Sequence, residues 1–480
     1  MLLEELVSIG FERGEAQKLA GSNRFHHRKK TGRELTDLFN KISDFYDWTF
    51  EEFKKAILSF PQFANLKHEK VVRQAIEVYG ADNEERIKKA VLRFPQFAGL
   101  DHERVVMQGI EVYGADNESK FRKAVLRFPQ FSGYNHERVV REATEVYGVE
   151  NEDRVKRAIL AHPQFACLDH ERAVREATEV YGVENEDRVK RAILIHPSFS
   201  GYNHRRVVMQ GIEVYGADNE SKFKEAIFAH PPFSGYRHER VVREATEVYG
   251  VDNADRVKQV ILAHPQFACL KHERVVGQGI EVYGVANEAK FKRAVLRFSP
   301  FAGYNHERVV REATEVYGVD NEGRVKRAIL AHPPFVGYNH ERVVMQGIEV
   351  YGADNEAKFK RAVLRFPSFS GLDHERVVRE ATGVYGVENE DRVRRAILRF
   401  PQFASLNHER VLRQKTRLGR MAGLSDEETI NYILNIPVLA GYSVKRYLAA
   451  FDIGRHLESE GFTRDDMLKA FFSYPGNSPY

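Results

Sequence analysis

Pro129-Gln130-Phe131-Ser132-Gly133-Tyr134-Asn135-His136-Glu137-Arg138-Val139-Val140-Arg141-Glu142-Ala143-Thr144-Glu145-Val146-Tyr147-Gly148-Val149-Glu150-Asn151-Glu152-Asp153-Arg154-Val155-Lys156-Arg157-Ala158-Ile159-Leu160-Ala161-His162 is one copy of a 34-residue unit that recurs ten times between Pro61 and Phe400. A fixed period overrides the count of separate domains that 480 residues would otherwise suggest. From His136 to Tyr147 the apolar residues fall at helical spacing, which gives a first helix. Gly148 ends it, as a residue free to take a positive φ. Asn151 offers a cap, Glu152 and Asp153 open a second helix, and Pro163 closes that helix by about His162. The Pro-Gln-Phe segment between copies is short enough for a brief third turn of helix. The expected fold is all-α: a superhelical α-solenoid of about eleven 34-residue helix-turn-helix repeats with degenerate terminal caps.

The copies fall into two subtypes that predict a packing contact. Counting from the proline, Gly at position fifteen (Gly109, Gly211, Gly279, Gly347) accompanies Phe at position twenty-seven (Phe121, Phe223, Phe291, Phe359). Ala there (Ala143, Ala177, Ala245, Ala313, Ala381) accompanies Val (Val155, Val189, Val257, Val325, Val393). Volume lost on one helix matches volume gained on the other, so these positions should face each other. Outside the array the pattern decays. Residues 1–46 read as a helical cap with a basic cluster, 47–402 as the array, and 403–480 as degenerate repeats and a C-terminal cap.

Net charge is only +4, so the distribution of sign inside the repeat says more than the sum. Cys167 and Cys269 occupy one repeat position where other copies carry small residues, which argues against a disulfide framework or a metal site. The sequence holds no run long enough to span a membrane, and its N-terminus lacks a signal pattern. The expectation is an intracellular monomer, in the cytoplasm or nucleoid, with nucleus or organelle as further options.

Position seven, just before the first helix, varies while its frame stays constant. It reads Lys67, Asp101, Asn135, Asp169, Asn203, Arg237, Lys271, Asn305, Asn339, Asp373 and Asn407. Asp and Asn suit a helix N-cap. Lys67, Arg237 and Lys271 do not, because they cannot accept a bond from a helix N–H and oppose the dipole. These residue types match base edges: Asn pairs with adenine, Arg or Lys with guanine, and Asp accepts from cytosine. Read that way, the column spells G-C-A-C-A-G-G-A-A-C-A.

A basic frame surrounds it. Position ten is Lys70, Arg104, Arg138, Arg172, Arg206, Arg240, Arg274, Arg308, Arg342, Arg376 and Arg410, a row of candidate phosphate contacts. An ion pair with a neighbouring repeat's Glu is the alternative. Positions twenty-six, twenty-nine and thirty-three share one face of the second helix, as Lys120, Lys123 and Arg127 show, with Arg154 and Arg157 in the next copy. Positions twenty-six and twenty-eight, also basic throughout, point about 200° apart and cannot serve one surface. Arg28, Lys29 and Lys30 form a further phosphate-binding cluster near the N-terminus.

His recurs at position eight, from His68 to His408, without a second ligand at metal spacing. A contact with phosphate or with the nearby Phe explains it better. Nothing unique stands out from the repeat as a nucleophile–base pair, phosphate loop or carboxylate dyad. Neither an enzyme, nor a cofactor, nor a metal is expected.

Pro437-Val438-Leu439-Ala440-Gly441-Tyr442-Ser443, preceded by Gly423-Leu424-Ser425-Asp426-Glu427-Glu428, resembles a repeat of the mTERF family, the mitochondrial transcription termination factor type. The internal copies keep the same skeleton of Pro, Phe, Gly-Tyr-Asn and paired helices over roughly residues 47–475. The resemblance implies double-stranded DNA bound along a basic concave face. The strict period and single variable position are similar, in logic only, to the TAL-effector array. The leading expectation is modular, sequence-specific binding of double-stranded DNA. The alternatives are single-stranded RNA read one base per repeat, with Tyr134, Tyr202, Tyr236, Tyr304 and Tyr338 as stacking rings, and a protein-binding scaffold.

Overall fold

In the computed structural model, residues 2–25, 30–421 and 424–441 are described, and they form an all-α solenoid without strands. They lie in two compact units, Met1–Val241 and Val242–Tyr480. Each repeat is a first helix, a 3-10 turn, a second helix and a 3-10 segment. The quoted copy gives Pro129–Gly133 in 3-10 form, His136–Tyr147, Val149–Asn151 as the turn, and Glu152–Ala161. Within each unit, first helices pack on first helices, second on second, and 3-10 segments on 3-10 segments.

Local chemistry sets these boundaries. Gly148 stops the first helix at φ 94° and ψ 142°, and its N–H donates to the Thr144 carbonyl. That backbone region is open only to glycine, and it is not the left-handed cap that usually ends a helix. Asn151 does not cap the second helix as the sequence suggested. Its Nδ2 turns back to donate to the Tyr147 carbonyl at 2.9 Å, and the same bond recurs from Asn83 to Asn389. The first helix therefore carries an orphan carbonyl that the second helix's leading residue satisfies.

The predicted contact between subtypes is present. A Cβ placed on Gly109 would lie 2.4–2.6 Å from the Phe121 ring, and Gly211, Gly279 and Gly347 stand in the same relation to their Phe partners. A second device joins successive repeats. His136 is buried against Phe131, with ring centroids 4.5 Å apart, and its Nδ1 pairs with the Tyr113 hydroxyl of the preceding repeat at 3.3 Å. Equivalent Tyr–His bonds run from Tyr46–His68 at 3.0 Å to Tyr385–His408 at 3.4 Å. In Tyr181–His204 and Tyr249–His272 the rings meet without that bond. Burial lowers the imidazole pKa to about 4, so these histidines are neutral core residues and not the phosphate contacts considered from sequence.

At the N-terminal end, helices Leu2–Ser8, Arg13–Gly21, Gly32–Tyr46 and Phe50–Ser59 precede the first full repeat. Tyr46 supplies the hydroxyl that His68 needs, and Trp48 stacks on Phe63. This cap thus presents the side chains a preceding repeat would have presented. At the other end, His408–Met421, Asp426–Asn435 and Pro437–Gly441 form a last, looser repeat. Tyr442, Ser443 and the rest of the expected C-terminal cap lie outside the described residues.

Candidate nucleic-acid interface

The second helices line an open groove in each compact unit. In Met1–Val241 it is lined by Arg86, Lys89, Arg93, Lys120, Lys123, Arg127 and Arg157, above a floor that includes Leu126 and Leu160. In Val242–Tyr480 the counterparts are Arg324, Arg327, Lys358, Arg361, Arg365, Arg395 and Arg399, above Leu364 and Leu398. No carboxylate lines either groove. Spacings of three and four residues put positions twenty-six, twenty-nine and thirty-three on one helix face, and stacking of equivalent helices brings three repeats' faces together. Side chains of one sign crowded this way repel each other, and a polyanion relieves that repulsion.

Several of these cations are held by the backbone frame. Position twenty-six bonds the Asn Oδ1 three residues earlier, as Lys120 does to Asn117 at 3.0 Å and Lys358 to Asn355 at 2.9 Å. That Asn is itself fixed by its bond to a Tyr carbonyl. It is a positioning residue the sequence reading took for a cap; its recurrence beside a cation three residues on was the available signal. Arg154 bonds Asn151 at 3.2 Å in the same manner but does not line the groove, whereas Arg157 does. Position thirty-three serves a structural purpose as well. Arg127 donates to the Leu160 carbonyl at 3.2 Å and to that of Ala161, and Arg399 to Asn435 at 2.8 Å, meeting orphan carbonyls at the next second helix's end.

Position twenty-eight belongs elsewhere. Lys156 pairs with Glu152 at 2.6 Å and Lys326 with Glu322 at 2.6 Å, half-buried i,i+4 bridges that recur along the array. The separation of positions twenty-six and twenty-eight expected from helix geometry holds.

Position seven is exposed in all eleven copies. Asp101, Asn135, Asp169, Asn203, Asn305, Asn339, Asp373 and Asn407 each accept the N–H three residues on, at 2.9–3.1 Å, so they cap the first helix. Lys67 and Lys271 make no such bond. None of the column lines either groove, and neither does position ten. Position ten, from Lys70 to Arg410, is exposed. Its ion pairs correct the sequence expectation of a neighbouring repeat's Glu: Arg138–Glu142, Arg172–Glu176 and Arg308–Glu312, at 2.6–2.7 Å, lie within one helix. Copies with Gln at position fourteen, such as those of Arg104, Arg206, Arg274 and Arg342, lack that carboxylate. One row thus has two chemical states, which one-line spacing could not separate.

The tyrosines at position six pack edge-on against Phe131, Phe199, Phe233 and Phe335 at 5.9–6.4 Å, and the Tyr202 hydroxyl sits over Gly235 of the following repeat. These four tyrosine rings are part-buried, while Tyr304 is exposed. Cys167 and Cys269 are exposed thiols. Among the described residues no cluster of three or more His, Cys, Asp or Glu is placed to hold a metal, and no helix is long and apolar enough to cross a membrane. Of the N-terminal cluster, Lys30 is half-buried, while Arg28 and Lys29 lie outside the described residues. No protein-family model matches the chain, and no curated protein is significantly similar to it.

Proposed function

We propose that this chain is a modular double-stranded DNA-binding protein, with the second-helix cations on the phosphate backbone and position seven reading bases. The observation that carries the proposal is the pair of grooves, each lined by seven cations and no acid. Phosphate contacts supply affinity and register, and only base-edge contacts supply sequence preference, so a recurrent cationic face together with one variable polar position suits the division of labour. Capping does not remove Asn or Asp from that role. A carbonyl or carboxylate oxygen that accepts one helix N–H keeps a second lone pair, and Asn keeps its Nδ2 donors. Lys67, Arg237 and Lys271 sit at a helix start where stability disfavours them, and guanine edges give them a partner. The repeat skeleton's resemblance to the mTERF type supports the same reading, with the chain acting as a monomer and not as an enzyme.

The test is selection from pooled duplex DNA, single-stranded DNA and RNA, repeated with Asn305→Lys. Enrichment of duplex DNA whose preference changes at one base pair is the expected result. Enrichment of RNA, or a duplex preference indifferent to that substitution, contradicts the proposal.

A further inference from the structure

The fifth repeat breaks the cationic frame in one place and restores its charge in another. Position twenty-nine is Lys or Arg in eight of the ten full copies, Glu225 in the fifth and Gln259 in the sixth. Position thirty-three is Ala229 and Ala263 here; it is also Ala161, Ile195 and Ala331 in the third, fourth and eighth copies, and Arg93, Arg127, Arg297, Arg365 and Arg399 in the rest. Glu225 also removes a neighbour's charge. Its two carboxylate oxygens accept from Arg188 Nη1 and Nη2, both at 2.6 Å, and the same guanidinium lies 4.3 Å from the Phe228 ring. Position nine is Glu in every copy except this one, where Arg205 pairs with Glu179 of the preceding repeat at 3.6 Å. The fifth repeat therefore keeps a cation but carries it on the first helix, not on the face that lines the groove elsewhere.

Stability does not account for the exchange. The Arg188–Glu225 side chains are 40% and 59% exposed, and ion pairs that open to water contribute between about 0 and 1 kcal/mol. On the groove face the electrostatic change is larger: the fifth and sixth repeats together offer Lys222 and Arg256 against Glu225, where the first two offer six cations and no acid. We infer that the phosphate-binding residues fall along the chain in two cationic blocks, repeats one to three and seven to ten. The charge-poor interval centred on Glu225 contributes few phosphate contacts. This rests on the DNA-binding reading and specifies where its contacts fall.

The experiment measures the slope of log K against log salt for the full chain on a mixed-sequence duplex. Each phosphate contact contributes about 0.9 to that slope. Lys120→Gln with Lys123→Gln should flatten it by about 1.8. Lys222→Gln with Arg256→Gln should change it by less than about 0.5, and Glu225→Gln, which releases Arg188, should steepen it by up to about 0.9. All these side chains are surface groups, and unchanged helical circular dichroism confirms folding. Equal flattening by the outer and central pairs overturns the two-block division while leaving DNA binding intact. Absence of salt-dependent duplex binding by the unaltered chain overturns both.

Discussion

Gly109→Ala is the perturbation on which the packing account commits itself to a sign. In an open helix interior, replacing Gly by Ala stabilises by about 0.5–1 kcal/mol, because the backbone loses less freedom on folding. At Gly109 the new methyl would stand 2.4 Å from one Phe121 ring carbon and 2.5 and 2.6 Å from two others, and the ring is fully buried. The ring has no solvent-facing direction in which to move. Overpacking of this kind costs about 1–3 kcal/mol, enough to cancel the helix gain and reverse the sign. Phe121→Val alone removes the clash partner and leaves a void, at a cost of about 2–3 kcal/mol. The double variant recreates the Ala143/Val155 pair of the neighbouring repeat, so its loss should fall to about 1 kcal/mol, with a coupling energy near 2 kcal/mol. Hydrogen exchange of peptides covering 102–127 reads these changes locally, which suits an array whose unfolding need not be two-state. A stabilising Gly109→Ala, or costs that simply add, would refute the facing-helix argument.

Acid should dissolve the array through its histidines. Their folded pKa of about 4 lies below the ordinary 6.5, so the unfolded chain binds more protons between those values. Stability is therefore complete above about pH 6.5 and lost as pH falls toward about 4, by at most about 3 kcal/mol per imidazole. A melting temperature that stays level from neutral pH down to about 4.5 would contradict this. His136→Phe should shallow the dependence. At position seven, Asn135→Ala should destabilise by about 1 kcal/mol, and Lys271→Asn, which supplies a missing cap, should stabilise by a similar amount; thermal melts compare them. Glu152→Gln should cost less than about 0.5 kcal/mol and leave the salt dependence of DNA binding unchanged, because Lys156 serves its own helix.

The helices, their ends and the Gly109–Phe121 contact were legible because each rests on spacing or on volumes that change together within one chain. The cationic face was legible for the same reason, since positions three and four residues apart share a side wherever the helix sits. The second role of Asn151 was not. Asn before a helix signals a cap from sequence, and only the folded turn shows its amide donating backwards to Tyr147. His136 also escaped: its partner Tyr113 is 23 residues earlier, across a repeat boundary that periodicity marks but does not pack. The two states of position ten depend on whether position fourteen is Glu or Gln, a difference visible in the letters but meaningful only once both side chains project from one face.

The central claim is that each cationic groove binds the phosphates of duplex DNA, and affinity as a function of salt tests it most directly. For the full chain on a mixed-sequence duplex, engagement of about four to five phosphates by the grooves predicts a log–log slope of about −3.6 to −4.5 between roughly 50 and 200 mM salt. A slope near zero, with binding either absent or indifferent to salt, would contradict the account.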